Sequence, residues 1–169
     1  IVDNQLKLDL KNSIKDRAEH LMIVDLMRND LGKIASPGTV KVDELYVIKS
    51  YRTVHQMISK ISGKVDNSIN EIDILKALFP GGSITGAPKE SAMKIIDFLE
   101  DYSRDIYTGS LGYIESNGNM NFNIAIRTMI KKEEIFSYGV GGGIIWDSIA
   151  ENEWNEAQLK SKILSSIIK

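Results

Sequence analysis

Residues 107–130 decide the fold class, and they read YTGSLGYIESNGNMNFNIAIRTMI. The dipeptide Asn117-Gly118 is typical of a tight hairpin, because both central residues of such a turn take positive φ. It predicts paired strands over 107–116 and 119–130. Side chains on the second strand alternate between two faces. The face expected to pack carries Phe122, Ile124, Ile126, Thr128 and Ile130, and the face expected to be polar carries Asn121, Asn123, Ala125 and Arg127.

The segments on either side of this hairpin are predicted helices and further strands. Apolar spacing of three and four residues predicts a helix over 13–31 that stops at Gly32. Other patterns predict extended segments at 39–42, 45–50, 55–65 and 135–145, and helices opened by Ser68 with Glu71, by Pro88, and by Ser148 with Glu151. Without regular β-α-β alternation, the sequence favours an α+β fold with layered antiparallel sheets flanked by helices, in one domain of residues 1–169.

The composition is that of an ordinary globular domain. The 169 residues are 43% apolar and 26% charged, with a net charge of −2 and no cysteine. This balance excludes a disulfide scaffold and argues against a basic nucleic-acid-binding face. The longest apolar run, residues 21–24, is far shorter than the ~20 residues of a membrane span. The absence of cysteine fits a cytoplasmic protein, and the absence of an initiating Met leads us to expect a piece of a longer chain.

Two pairs of acidic residues are candidates for a metal site. Asp16 and Glu19 share one face of the first predicted helix, and Glu153 and Glu156 share one face of the last. If the two faces met, their carboxylates would repel one another, and a hard cation such as Mg²⁺ would neutralise them. The alternative is that both pairs lie on solvated faces of amphipathic helices.

Other residues could bind an anion. The run Gly141-Gly142-Gly143 follows a predicted strand and could present successive backbone N–H groups to a carboxylate, or it could form a bend in the sheet. Arg127 either reaches solvent or pairs with a carboxylate. Tyr107 could add a hydrogen bond to the same anion, although core packing is the commoner role of a tyrosine.

The histidines and the glycine loop permit further interpretations. His55 could transfer a proton near neutral pH, but a lone histidine more often has a structural hydrogen-bonding role. The loop 81–89 has the glycine spacing of a nucleotide-binding P-loop, yet Ala87-Pro88 separates Gly86 from Lys89, so the P-loop reading fails.

Taken together, these segments resemble the chorismate-utilising, or chorismate-binding, enzymes. The resemblance is carried by RAEHLMIVDLMRND at 17–30, by FPGGSITGAPK at 79–89, and by Gly118-Asn119-Met120 with Ile126-Arg127-Thr128. It covers nearly the whole chain in order. Within the family the loop 80–86 is similar to that of the aminodeoxychorismate (para-aminobenzoate) branch, whereas the anthranilate branch usually has Ala-Gly-Thr and Ser-Gly there. The implied fold is the C-terminal part of the anthranilate synthase component I-like fold.

The resemblance implies a role for each candidate residue. Glu19 and Glu156, supported by Asp16 and Glu153, would hold Mg²⁺, which would bind the ring carboxylate of chorismate. The same carboxylate would meet the backbone at Gly141, Gly142 and Gly143. The remaining implied contacts are Tyr107 and Arg127 to the enolpyruvyl carboxylate, His55 near the reacting ring, and Ser83 as a substrate-contacting hydroxyl.

The family likeness also implies partners and a missing motif. Ammonia would come from a glutaminase subunit, and the pathway would be folate synthesis, or tryptophan synthesis for the anthranilate branch. A Pro-Ile-Lys-Gly-Thr motif, whose lysine is thought to attack the ring, is expected before residue 1, so we expect residues 1–169 to be inactive alone. Exposed sheet edges could pair two copies into a non-native dimer. A non-catalytic anion- or partner-binding module is the alternative of another class.

Overall fold

The computed structural model describes residues 2–52, 54–162 and 164, and it confirms an α+β fold. The chain divides into two compact units, Ile1–Glu90 and Ser91–Lys169. The strands form three separate antiparallel sheets of two strands each. No helix in the described part of the chain is long and apolar enough to cross a membrane.

In chain order, the first unit contains two helices, a two-stranded sheet, a third helix and a 3-10 turn. Its elements, in chain order, are α1 (Val2–Asn12), α2 (Ile14–Gly32), β1 (Lys41–Ser50), β2 (His55–Ser62), α3 (Glu71–Leu78) and a 3-10 turn (Gly82–Ile84). Helix α2 confirms the predicted first helix, and the Ser13 hydroxyl caps it by accepting from the Asp16 backbone N–H. Helix α1 had no sequence prediction.

The two extended segments predicted at 39–42 and 45–50 form a single strand. Strand β1 pairs antiparallel with β2, and its register shifts between Val42 and Glu44 and again between Glu44 and Val47. Tyr46 lies in the second irregularity with φ of 57°. The bulge explains why the sequence pattern breaks there, since an extra residue interrupts the period of two.

The predicted cap of helix α3 is wrong by two residues. Asn70, not Ser68, is the N-cap, and its side chain accepts from the backbone N–H groups of Ile72 and Asp73. Asp73 completes the capping box by accepting from the Asn70 backbone N–H, a role that the sequence had given to Glu71. Two overlapping patterns fitted the capping box, and Ser68 belongs instead to a turn closed on Asp66.

The second unit contains two hairpins and a C-terminal helix. Helix α4 (Lys89–Leu99) begins with the last two residues of the first unit and leads into this one. It is followed by β3 (Ser110–Ile114), β4 (Met120–Ile124), β5 (Met129–Lys132), β6 (Ile135–Tyr138) and α5 (Ala150–Ser161). Strand β3 pairs with β4, and β5 pairs with β6.

The hairpin at Asn117-Gly118 is present, but its turn differs from the prediction. Only Gly118 has positive φ, at 86°, and its N–H donates to the carbonyl oxygen of Glu115. The Glu115 N–H donates in turn to the carbonyl of Asn119. This is the arrangement of a longer hairpin loop closed by one left-handed glycine, which needs positive φ at a single position.

The predicted second strand, 119–130, is in fact two strands separated by a bend. Strand β4 ends at Ile124, the Ile126 N–H donates back to the Ile124 carbonyl, and Arg127 has φ of 52°. The bend cancels the predicted alternation, so Ala125 is fully buried although it was assigned to the polar face. On the predicted packing face Phe122 stays 37% exposed.

Helix α5 also begins differently from the prediction. Its N-cap is Ile149, which has no side-chain hydrogen bond to the helix, and the predicted capping pair of Ser148 and Glu151 is therefore wrong. The Ser148 hydroxyl instead accepts from the Ile145 N–H and donates to Glu153. The contact with Glu153 takes the hydroxyl away from the backbone N–H groups at the start of the helix, and those of Asn152 and Glu153 donate to the Ile149 carbonyl instead.

The cap of α3 can be tested directly. Replacing Asn70 with Ala should lower the free energy of unfolding by about 1 kcal/mol, since two backbone N–H groups lose their acceptor. Replacing Ser68 with Ala should change it by less than about 0.5 kcal/mol. Urea denaturation of the two variants measures both values, and a larger loss for Ser68→Ala would restore the sequence-based cap.

Candidate functional site

The glycine run after strand β6 lies against the side chain of Tyr107. A Cβ atom placed on Gly139 would lie 2.3 Å from Cγ of Tyr107, and one on Gly141 would lie 2.8 Å from the tyrosine hydroxyl oxygen. Contacts below 3.0 Å do not occur for real Cβ atoms. Glycine is therefore required at Gly139 for the Tyr107 ring to approach the backbone this closely, and a Cβ atom on Gly141 would push the tyrosine hydroxyl away.

Two carboxylates of helix α5 lie against the same loop. A Cβ on Gly142 would be 3.3 Å from Oε2 of Glu153 and 3.6 Å from Oε1 of Glu156. Oε1 of Glu153 accepts a hydrogen bond of 2.7 Å from the Ser148 hydroxyl. The structure thus brings together a predicted acidic pair and a predicted anion-binding loop that are separated by about ten residues in the sequence.

Lys160 links the glycine loop to helix α5, a contact that the sequence did not predict. Its Nζ atom donates to the carbonyl oxygen of Gly141 at 2.8 Å and lies 2.6 Å from Oε1 of Glu156. The only signal in the sequence was the spacing of four residues between Glu156 and Lys160, which is common on helix surfaces. The contact with Gly141 depends on how the loop returns to the helix.

A cavity of ≈ 400 Å³ lies beside Tyr107 in the second unit. Arg104 lines it and makes a bidentate pair with Glu100, with N–O distances of 2.7 and 2.6 Å. The hydrogen bonds from Arg104 hold the pKa of Glu100 below its usual value, and burial raises the pKa of Tyr107. The buried hydroxyl of Tyr138, another lining residue, has no hydrogen-bond partner in the described structure.

Two other predicted residues of this unit have open surroundings. Arg127 is exposed at the bend between β4 and β5 rather than in the middle of a strand. Gly143 has no atom within 4 Å of the position a Cβ would take. The guanidinium and the backbone at Gly143 are therefore accessible to a ligand.

In the first unit, Asp16 and Glu19 occupy one face of α2. Asp16 is exposed, and Glu19 makes a weak pair with Lys15 at 3.7 Å. The neighbouring His20 is hydrogen-bonded to the Ser59 hydroxyl at 2.7 Å, and burial lowers the pKa of its imidazole. His20 therefore packs against β2, in addition to standing beside Glu19.

The two remaining candidates of this unit differ in accessibility. Both ring nitrogens of His55 are engaged: Nδ1 with the Ser50 hydroxyl at 2.9 Å, and Nε2 with Oδ1 of Asp3 at 2.9 Å. This is the structural hydrogen-bonding role that the sequence offered as the alternative to proton transfer. Ser83 lies in the 3-10 turn and is exposed, whereas the two residues before it, Gly81 and Gly82, are buried.

The residues suit a hard cation in their chemistry. Carboxylates and backbone carbonyls are the oxygen donors that Mg²⁺ prefers, and both kinds occur where Glu153 and Glu156 meet the loop. Across residues 2–52, 54–162 and 164, no three His, Asp or Glu side chains form a metal-binding group. Because the acidic pairs belong to different units, the magnesium site stays a prediction.

The family follows from comparison with known proteins. A sequence profile described as chorismate binding enzyme matches residues 1–166. The chain belongs to the chorismate-binding enzyme family. Anthranilate synthase component 1 of Saccharolobus solfataricus is 47% identical over 166 residues, which are 98% of this chain and 39% of that protein. Aminodeoxychorismate synthase component 1 of Salmonella typhimurium is 49% identical over 154 residues, 91% of this chain and 34% of that protein.

A solved structure supports the fold of this family member. The chain superposes on anthranilate synthase component I from Streptococcus pneumoniae with a TM-score of 0.86 and 40% identity, covering 95% of this chain and 37% of that one. The predicted resemblance to chorismate-binding enzymes is thereby confirmed. The chain spans well under half the length of each of these three relatives.

The contact between Tyr107 and Gly139 predicts a large effect of one methyl group. Gly139→Ala should lower the free energy of unfolding by about 2 kcal/mol, because the new Cβ overlaps the tyrosine ring. Gly143→Ala is the matched control and should cost less than about 1 kcal/mol. Equal losses for the two variants, measured by urea denaturation, would contradict the close packing at Gly139.

The pair of Glu100 and Arg104 predicts a pH dependence of stability. The pKa of Glu100 is depressed in the folded chain. The pair therefore stabilises the folded state fully at pH values above the usual pKa of 4.5, and this contribution is lost as the pH falls through the depressed pKa. Glu100→Gln should be less stable than the wild type by roughly 1 kcal/mol near neutral pH. Denaturation measured from about pH 6 down to pH 3 should show this difference shrinking, and a constant difference would contradict it.

Proposed function

We propose that the chain is the chorismate-binding part of an aminodeoxychorismate synthase component I, which converts chorismate and ammonia into 4-amino-4-deoxychorismate. The observation that carries the proposal is the glycine loop Gly141–Gly143, set between the Tyr107 hydroxyl and the carboxylates of Glu153 and Glu156. This arrangement offers hydrogen-bond donors on one side and cation ligands on the other, which together suit a small dicarboxylate.

The loop and the tyrosine would hold the substrate by its negative charges. The backbone N–H groups of Gly141 to Gly143 would donate to one carboxylate, and the Tyr107 hydroxyl with the exposed Arg127 would hold the other. Fixing both ends of the molecule orients the ring carbons between them. We include His55 as the group near the reacting ring, which requires its present contact with Asp3 to open.

Magnesium is part of the proposal. Glu153 and Glu156 would be ligands, and Asp16 and Glu19 are the further ligands predicted from the sequence. When bound, Mg²⁺ supplies the positive charge that neutralises a substrate carboxylate. Lys160 already neutralises Glu156 at 2.6 Å, so this pair would have to separate or share the oxygen on metal binding.

The loop sequence is the reason for proposing the aminodeoxychorismate branch. Residues 80–86 read PGGSITG, which is similar to that branch. Anthranilate synthase component I is the second candidate, and the 47% identity to the Saccharolobus solfataricus protein favours it. For either branch we propose a glutaminase subunit as the source of ammonia and the cytoplasm as the location. The first branch serves folate synthesis and the second serves tryptophan synthesis.

Calorimetry tests the binding site. The chain should bind chorismate in the presence of Mg²⁺ and lose at least about tenfold in affinity in Glu156→Gln or Glu19→Gln, because a metal ligand is removed. Glu151→Gln, an exposed residue of the same helix α5, is the matched control and should leave the affinity unchanged. Binding that is independent of the metal would favour the non-catalytic module instead.

Product analysis tests the branch. The full gene product that contains this chain, supplied with chorismate and ammonium, should form aminodeoxychorismate, whereas anthranilate as the product would establish the second candidate. Residues 1–169 alone should form no aminodeoxychorismate, because the lysine motif of that branch is not among these residues. Turnover by the isolated chain would contradict that expectation.

A further inference from the structure

Asp30 is a charged side chain buried in the first unit. It lies in the last turn of α2, and only 1% of its side chain is exposed. Lys33 contacts its Oδ1 atom at 2.9 Å, and Lys89 contacts its Oδ2 atom at 2.5 Å. A buried carboxylate without such partners would be strongly unfavourable, so the fold requires at least one of these lysines to reach it.

The two lysines differ in what they connect. Lys33 is half exposed and follows three residues after Asp30, so its contact is local. Lys89 is 59 residues away, only 17% of its side chain is exposed, and it is the first residue of α4. The bond from Lys89 to Asp30 therefore attaches the end of the loop 79–88 to helix α2.

The beginning of the same loop also contacts α2. A Cβ on Gly82 would lie 2.8 Å from Cβ of Leu26, which is one helical turn before Asp30. Inside the loop, the Thr85 hydroxyl donates to the carbonyl oxygen of Gly81 at 3.0 Å. Leu26 and Asp30 thus hold the two ends of the loop, and the exposed Ser83 lies between them.

We propose that Asp30 and Lys89 are positioning residues that fix the loop 79–88 and hold the Ser83 hydroxyl in place for the ligand. The role of Ser83 in this statement rests on the proposed function, but the attachment of the loop does not. The contact also joins two of the segments that carry the family resemblance, since Asp30 is the last residue of 17–30 and Lys89 is the last residue of 79–89. With its Nζ atom held by a buried carboxylate, Lys89 serves as an anchor.

A spin label tests the attachment of the loop without any ligand. The chain has no cysteine, so Ser83→Cys provides a single labelling position in the loop. In the wild-type background the nitroxide should show restricted motion, and in Lys89→Met its rotational correlation time should shorten several-fold. Lys89→Arg should restore restricted motion, because it keeps the charge. Lys94→Met, an exposed lysine of the same helix, is the control and should change nothing.

A double variant separates positioning from stability. Lys89→Met leaves Asp30 with one partner and should lower the melting temperature, whereas adding Asp30→Asn removes the buried charge and should recover much of it. The nitroxide should remain mobile in this double variant, because the attachment is still lost. Recovery of restricted motion together with stability would overturn the proposal, and so would a Lys89→Met label as immobile as the wild type.

Chorismate affinity then tests the link to Ser83. With Ser83 in place, Lys89→Met should weaken binding about tenfold, and in a Ser83→Ala background the same change should have a smaller effect. An equal effect in both backgrounds would refute positioning through Ser83. If the wild-type chain binds no chorismate, the proposed function fails, while the spin-label result still decides the attachment of the loop.

Discussion

The candidate site depends on the absence of side chains along one stretch of backbone. Gly139 and Gly141 allow the ring and hydroxyl of Tyr107 to lie where a Cβ atom would otherwise be, and the carboxylates of helix α5 lie within contact distance of the Cβ position of Gly142. A tyrosine hydroxyl, two carboxylates and a row of backbone groups can therefore converge without a large cavity between them. A larger residue at Gly139 or Gly141 would displace the side chain of Tyr107 from the loop.

The two carboxylates also need partners, which Lys160 of helix α5 and Ser148 just before this helix supply. Lys160 neutralises Glu156 and at the same time holds the carbonyl of Gly141, while Ser148 donates to Glu153. These contacts keep two carboxylates close to the loop and fix their orientation. A ligand or cation that enters would exchange partners with groups already in position, which costs less than ordering them from solution.

In the first unit, the buried carboxylate of Asp30 holds a loop against a helix. The loop 79–88 contains three glycines and no regular helix or strand beyond one 3-10 turn, so little in its own sequence restrains it. Its rigidity comes from contacts with α2, through Leu26 at one end and Asp30 at the other. Each unit therefore contains one candidate loop that a neighbouring helix holds in place. These are the loop 79–88 against α2 and the glycine loop 141–143 against α5.

The sequence by itself determined the family, the α+β class, the positions of most helices and the hairpin at Asn117-Gly118. It did so because amphipathic spacing, Gly and Pro punctuation and contiguous motifs are local properties. It misplaced the caps of α3 and α5 and treated 119–130 as one strand, and only the structure shows that Ser13 caps α2. Only the tertiary structure decided that Ala125 is buried, that both nitrogens of His55 are engaged, and that Lys160 and Lys89 reach partners distant in sequence. The bend after Ile124, the return of the glycine loop to α5 and the burial of Asp30 depend on contacts between distant segments, which a local pattern does not encode.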